Sequence, residues 1–281
     1  LKGKQKKDNA MITLCNACGT SWSITSSPPA RCAICADARQ FVPKTGQQWV
    51  NFPDLIATHT NKWQQHEHDL LSMSTVPEFA IGQRAFLLRT PEGNILWDCI
   101  ANLDDATKTL ISALGGLKAI AISHPHFYTT LQDWAAEFAA PVYLHASDRQ
   151  WIMRDSPYLT LWEGDSFALN TEVSILRTGG HFPGSSVLHW SRGDGALFTG
   201  DTLQVTPGAN AVSFMWSYPN MLPLPGATVS EMVRRLESLR FAKLYGGFEG
   251  REITEQADDI VRRSAEMYIA CLEDTPANHC R

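Results

Sequence analysis

Three short clusters in this sequence carry groups able to hold a metal ion and do chemistry with it. Ser123-His124-Pro125-His126-Phe127-Tyr128-Thr129 follows the apolar run that begins at Ala119. Alternating residues of an extended loop project to the same side, so His124 and His126 are expected to face one ion. Gly179-Gly180-His181-Phe182-Pro183-Gly184 is a glycine-flanked turn that presents a third histidine, and Phe198-Thr199-Gly200-Asp201 places an aspartate just past a strand end. Imidazole is a good zinc or iron ligand. Three histidines with an open position match a catalytic zinc site, where bound water ionises near about pH 7 and becomes a nucleophile. Asp201 would ligate too, or accept a proton from that water. A different subset, His124, His181 and Asp201, forms a two-histidine, one-carboxylate face suited to non-haem iron and oxygen chemistry.

A fourth cluster is of another kind. Cys15-x-x-Cys18 and Cys32-x-x-Cys35, separated by thirteen residues, have the spacing of a structural zinc ribbon or knuckle. Thiolates in two tight pairs surround Zn²⁺ tetrahedrally and leave no open position, so this site is expected to be structural. Disulfides or an iron centre are the alternatives. An odd total of seven cysteines, four of them paired in this way, points to metal binding in a reducing compartment, hence the cytoplasm. Cys99, Cys271 and Cys280 read as spare thiols. The module lacks clustered Lys or Arg, which favours packing on the rest of the chain, or contacts in a homodimer, over binding nucleic acid.

Taken in order along the chain, these motifs resemble the metallo-β-lactamase superfamily over residues 76–281. That family carries His-x-His-x-Asp-His after a strand, then a Gly-His turn, a Gly-Asp and a late Gly-His, and several motifs in order are more specific than any one alone. The resemblance places His124 and His126 on the first two histidines, His181 on the next and Asp201 on the metal-bridging aspartate. Trp97-Asp98 resembles the earlier strand-end aspartate that props the site. The departures are as informative. Tyr128 and Thr129 stand where the family has its aspartate and fourth histidine, and Gly246-Gly247-Phe248 follows Leu244-Tyr245 where the late histidine is due. Beyond Asp201 the one remaining histidine is His279. A single metal ion, zinc or iron, is therefore expected, with Tyr128 as a candidate hydrogen-bond donor to a developing oxyanion.

The resemblance implies an αββα sandwich. It also implies a metal-dependent hydrolase acting on an ester, lactone, thioester or amide carbonyl of a small-molecule substrate. Persulfide dioxygenases of the same superfamily use the positions of His124, His181 and Asp201, so an iron oxidoreductase is the second reading. A non-catalytic metal-binding or interaction protein is the third.

The elements that must position these residues can be read from periodicity. Phe79 to Leu88 and Asn94 to Cys99 look like a hairpin around Pro91-Glu92-Gly93. Thr107 to Leu114 and Thr130 to Ala139 have helical apolar spacing, Ala119 to Ser123 and Pro141 to Leu144 that of buried strands. Val173 to Arg177, Val187 to Trp190, Ala196 to Thr199 and Phe241 to Tyr245 read as further strands, Val229 to Leu239 and Glu255 to Leu272 as helices. Two β-rich halves, each with its own helices, fit a sheet-on-sheet core. Residues 1–10 are set aside as a tag or disordered extension, 11–40 as the zinc-ribbon-like module, 41–75 as a connector, and 76–281 as the main domain. His145 and Asp148 follow a strand and could approach the site, His189 reads as structural, and Phe214, Trp216, Tyr218 and Asn220 are candidates to line a pocket.

At 281 residues, 44% hydrophobic and 19% charged, the chain can bury a large core without disulfides. Its net charge of -5 argues against a broad nucleic-acid or anionic-membrane surface, and no apolar run is long enough to span a bilayer.

Overall fold

The apolar run Ala85 to Leu88 within the strand Arg84–Thr90 needs cover on both faces, and the fold provides it. In the computed structural model, which describes residues 11–24 and 26–273, Phe86 and Leu88 point to one side of their sheet and Leu87 to the other. The basic extension 1–10, His279 and Cys280 lie outside the described residues.

A seven-stranded sheet runs in the order Leu159–Trp162, Val142–His145, Ala119–Ala121, Gly93–Trp97, Arg84–Thr90, Leu70–Val76, Thr60–Glu67. A six-stranded sheet runs Ser166–Ala168, Val173–Arg177, Ser186–Trp190, Ala196–Gly200, Lys243–Gly246, Glu252–Ile253. Between the two lies a shared core in which Phe86, Trp97 and Ala121 meet Leu188, Phe198 and Tyr245. The outer face of the first sheet, with Leu87, Leu96 and Ile120, packs on Ile111 and Trp134 of the helices Asp105–Ala113 and Leu131–Phe138. Val187, Leu197 and Leu244 on the outer face of the second pack on Gly226–Leu236 and Ala257–Leu272. This is the expected αββα sandwich, and each fully buried large side chain in it contributes about 1.5–3 kcal/mol. Among the described residues no helix is long and apolar enough to cross a membrane.

Three segments differ from the reading of the sequence. Residues 41–75, taken as a connector, contain more: Trp49–Asn51 pairs with Met11–Cys15 in the small N-terminal sheet, and Thr60–Glu67 with Leu70–Val76 supplies two strands of the large one. Polar composition hid both strands: Thr60–Glu67 lies at the sheet edge and exposes half of its side chains, and Leu70–Val76, though mostly buried, interrupts its apolar residues with Ser72, Ser74 and Thr75. The strand expected from Phe79 begins at Arg84, since left-handed φ values at Ala80 (59°) and Gly82 (72°) turn the chain instead. The helix expected from Val229 starts earlier, at Gly226, directly after Pro225.

Arg84 ties the two sheets together. Its side chain is fully buried, its Nε and Nη2 donate to the Gly246 carbonyl at 3.0 and 2.9 Å, and its Nη1 pairs with Glu252. Replacing Arg84 by Met leaves that carbonyl and carboxylate without their donors. The expected loss is about 3 kcal/mol, at the low end for a broken buried pair because Glu252 is partly exposed. Urea denaturation checks it, and a midpoint unchanged from wild type would contradict it.

Candidate metal centre and its cavity

The site forms where strands of the two sheets end side by side. Leaving Gly93–Trp97, Asp98 adopts a left-handed φ of 61° and is buried. Its Oδ1 accepts the Ser123 N–H at 2.7 Å, which orients the loop after Ala119–Ala121. Burial pushes the Asp98 carboxyl up to about 8. Ser123 Oγ in turn lies 2.9 Å from His124 Nδ1. The opposing strand Ala196–Gly200 can come this close because it ends in glycine: a Cβ on Gly200 would sit 2.5 Å from Ser123 Oγ. Asp201 follows at once.

His124 and His126 converge by a route the sequence did not suggest. The loop is not extended; after His124 it closes into a 3₁₀ turn, Pro125–Phe127, with proline at the first position, where its fixed φ suits the turn. The two rings therefore offer different nitrogens. A tetrahedral ion bonded at about 2.0–2.1 Å sets its donor atoms about 3.3–3.4 Å apart. Here His124 Nε2 and His126 Nδ1 lie 3.3 and 3.5 Å from Asp201 Oδ2. His181 Nε2 lies 3.9 Å from that oxygen and 3.2 Å from His126 Nδ1. All four residues are buried, and His124 Nε2 and Asp201 Oδ1 have no hydrogen-bond partner among the described residues. The donor set fits one ion.

Its surroundings prepare it for one. His181 Nδ1 donates to the Met215 carbonyl at 3.2 Å, which leaves the Nε2 lone pair facing the cluster. Burial lowers the pKa of His126 to about 4 and that of His181 well below the usual histidine range, helped by the neighbouring imidazoles, so both are neutral near pH 7. Burial alone would raise the Asp201 carboxyl; the adjacent imidazoles of His124, His126 and His181 outweigh it and hold the group well below the usual carboxylate range. His126 Nε2 is buried without a partner, the one ligand nitrogen pair with no outer support.

The cysteines form a second cluster. Cys15 and Cys35 Sγ are 3.6 Å apart, Cys18 and Cys32 Sγ 3.7 Å. A disulfide requires about 2.05 Å, whereas thiolates bonded at about 2.3 Å to a tetrahedral ion stand about 3.8 Å apart. The set fits a metal and excludes the disulfide alternative. Gln47 clasps it from outside, its Nε2 donating to Cys15 Sγ and its Oε1 accepting from Cys32 N, both at 3.0 Å.

Asp201 opens onto a cavity of about 660 Å³, whose lining also includes Gln204, Tyr218 and Phe248. A smaller space of about 280 Å³ at Glu67, Asp69, Arg192 and Lys243 is edged by charges that already pair, Lys243 with Glu67 and Arg192 with Asp69, each at 2.6 Å. The larger cavity is the one that reaches the donor set.

The model of the metallo-β-lactamase superfamily matches residues 80–247, more than half of the chain and all four donors. The chain belongs to the metallo-β-lactamase superfamily. It is 42% identical over 264 residues to the uncharacterized protein YmaE of Bacillus subtilis (strain 168), covering 92% of this chain and 96% of that one. Among solved structures it resembles the metallo-β-lactamase DIM-1 (TM-score 0.58, 12% identity) and VMB-1 (TM-score 0.56, 11% identity), in each case over 75% of this chain and 98% of the other. At such identities the likeness is one of fold.

Against the superfamily pattern, the structure gives a physical account of the missing second set of ligands. Gly247 stands where the late histidine is due, and a Cβ there would lie 2.6 Å from Phe127 Cζ: the phenyl ring fills that space. Tyr128 packs in the apolar cluster under the first sheet with Leu131 and Trp134, and burial raises its hydroxyl pKa. It makes no side-chain hydrogen bond among the described residues and is not part of the cavity lining, so the structure does not bring it to the four donors. His145 caps its own turn by accepting from Ser147 N, and His189 meets the Arg240 carbonyl at 2.9 Å, both structural roles. Phe214 is core, while Tyr218 lines the cavity.

Asp148 carries more than its sequence context showed. Its Oδ1 accepts the Gly184 N–H at 2.9 Å, pinning the turn that bears His181, and a Cβ on Gly184 would lie 2.7 Å from its carboxyl. Replacing Asp148 by Ala frees that turn. Metal affinity at the histidine cluster should fall about 10–100-fold, the usual effect of losing a group that supports a ligand. Competition with a calibrated chelator measures this, and unchanged affinity would show that the turn holds itself.

Proposed function

We propose that this protein is a metal-dependent hydrolase with one catalytic zinc ion, held by His124, His126 and His181 with Asp201 beside an open fourth position, acting on an ester, lactone, thioester or amide. The observation that carries the reading is the convergence of three buried imidazoles and a carboxylate, their donor atoms within 4.8 Å of one another, opening through Asp201 onto the large cavity. Bound there, zinc would supply Lewis acidity and lower the pKa of water toward about 7. The residues supply the rest. His126 and His181 are neutral donors in a water-poor pocket, His124 adds a third imidazole, and Asp201 brings the negative charge that offsets a divalent cation. Asp201, whose Oδ1 has no hydrogen-bond partner among the described residues, would accept a proton from the attacking water and pass it to the leaving group. A second zinc, at the four cysteines, is structural.

Elemental analysis of the purified chain tests this, followed by turnover on nitrophenyl esters, a lactone, a thioester and a β-lactam. Two zincs per chain, with hydrolysis lost on chelation and restored by zinc, is the expected result. Zinc at the cysteines alone would overturn it. The carboxylate of Asp201 within reach of His124 and His181 also composes an iron face, and iron with oxygen uptake on a persulfide would replace the hydrolase reading.

A further inference from the structure

The four-cysteine module does not sit apart from the cavity. Asn16 and Ala17, the two residues between Cys15 and Cys18, line it, as do Gln40 and Phe41 just beyond Cys35, facing a space that ends at Asp201 and Tyr218. We infer that the module is the specificity wall of the catalytic pocket, selecting substrates by an uncharged, apolar group of medium length that packs on Ala17 and Phe41. The inference rests on the hydrolase reading for its chemistry, but its geometry stands on separate observations.

The wall is fixed in place. Arg39, clamped by Asp37 at 2.6 and 3.0 Å, lies 3.8 Å over the Phe182 ring and donates to the carbonyl of His181 at 3.3 Å. Asn220 Nδ2 donates to the carbonyls of Ala38 and Gln40 at 2.9 and 3.1 Å, and Ser217 Oγ to that of Arg39 at 3.0 Å. On the other side, Ser21 N and Oγ both donate to the Thr129 carbonyl, at 2.9 and 2.8 Å, just past the His126 turn. The module is thus bonded to both histidine-bearing loops.

Its exposed face is unfinished. Phe41 is 54% exposed although it faces a concave space. An apolar substrate group covering Phe41 would remove that surface from water. Packing of a few methylenes on such a wall is worth roughly 10–200-fold in selectivity.

The test uses the metal-loaded full chain with 4-nitrophenyl acetate and 4-nitrophenyl hexanoate as substrates, and acetate and hexanoate as ligands in calorimetric titrations. Wild type should favour the hexanoyl over the acetyl ester. Phe41→Ala should lower that ratio of kcat/KM about tenfold, mostly through KM, and weaken hexanoate binding relative to acetate by a similar factor. Ala17→Glu should do the same by placing a charge on the wall, with zinc content confirming that the turn still forms. Equal handling of the two chain lengths by wild type, or ratios unmoved by both variants, overturns the inference and leaves the hydrolase intact. Hexanoate binding that depends on Phe41, without hydrolysis of either ester, supports the wall and counts against the hydrolase. Absence of both binding and hydrolysis overturns the wall.

Discussion

Replacing Cys15 and Cys18 together by serine removes one metal ion per chain and unravels the small sheet that surrounds them. That sheet has just three short strands, and its enclosed cluster consists of the four cysteines and Ile34 with a few half-buried neighbours. A core of that size does not hold a fold by itself. Zinc bound to four thiolates contributes folding free energy directly, about 10–16 kcal/mol in comparable small modules. The sandwich has its own three apolar clusters and keeps its fold, so the loss is local. Elemental analysis should read one ion where wild type has two. Limited proteolysis should cut within residues 11–51 while sparing the rest. A variant that keeps two ions, or resists protease as wild type does, would show that the cysteines are not the ligands.

His181→Ala is expected to empty the other site and abolish turnover. The imidazole supplies one of four donors, and its Nε2 is 3.2 Å from His126 Nδ1, so its removal leaves a hole in the set, without a replacement group. Turnover should fall more than about a thousandfold, equal to about 4 kcal/mol of barrier. The four-cysteine ion should stay, which separates this effect from unfolding. His124→Ala should behave alike. A clean preparation that retains both ions, or the activity, would refute the assignment. Because the ring is buried among Phe182, His124 and His126, part of any stability loss comes from the cavity left behind, and thermal unfolding of the metal-free forms measures that part.

The two predictions draw on different kinds of information. Cys-x-x-Cys pairs are local: the four thiols that could hold one metal ion lie within 21 residues of chain, and thiolate chemistry allows few other readings, so the cluster was legible in the sequence. His124, His126, His181 and Asp201 are spread over 78 residues, and only the order of their motifs, matched to a family, joined them. Strands were legible where a short apolar run marks them, as at Ala85 to Leu88 within Arg84–Thr90 and Val187 and Leu188 within Ser186–Trp190. Where one face meets solvent, as in Thr60–Glu67, the pattern dissolved into what read as a connector.

Tertiary structure decided the rest. Which nitrogen each histidine presents depends on the 3₁₀ turn at Pro125. Phe127 fills the space beside Gly247, where a late histidine of the superfamily pattern would stand, a contact between residues 120 apart in the chain. Asp148 and Arg39 became supports of the His181 turn only when their loops were packed against it. Composition and spacing determine which groups a chain can bring to a metal, since those are properties of single residues and short segments. Whether a zinc-binding turn becomes the wall of a catalytic cavity depends on long-range packing, which no local pattern encodes.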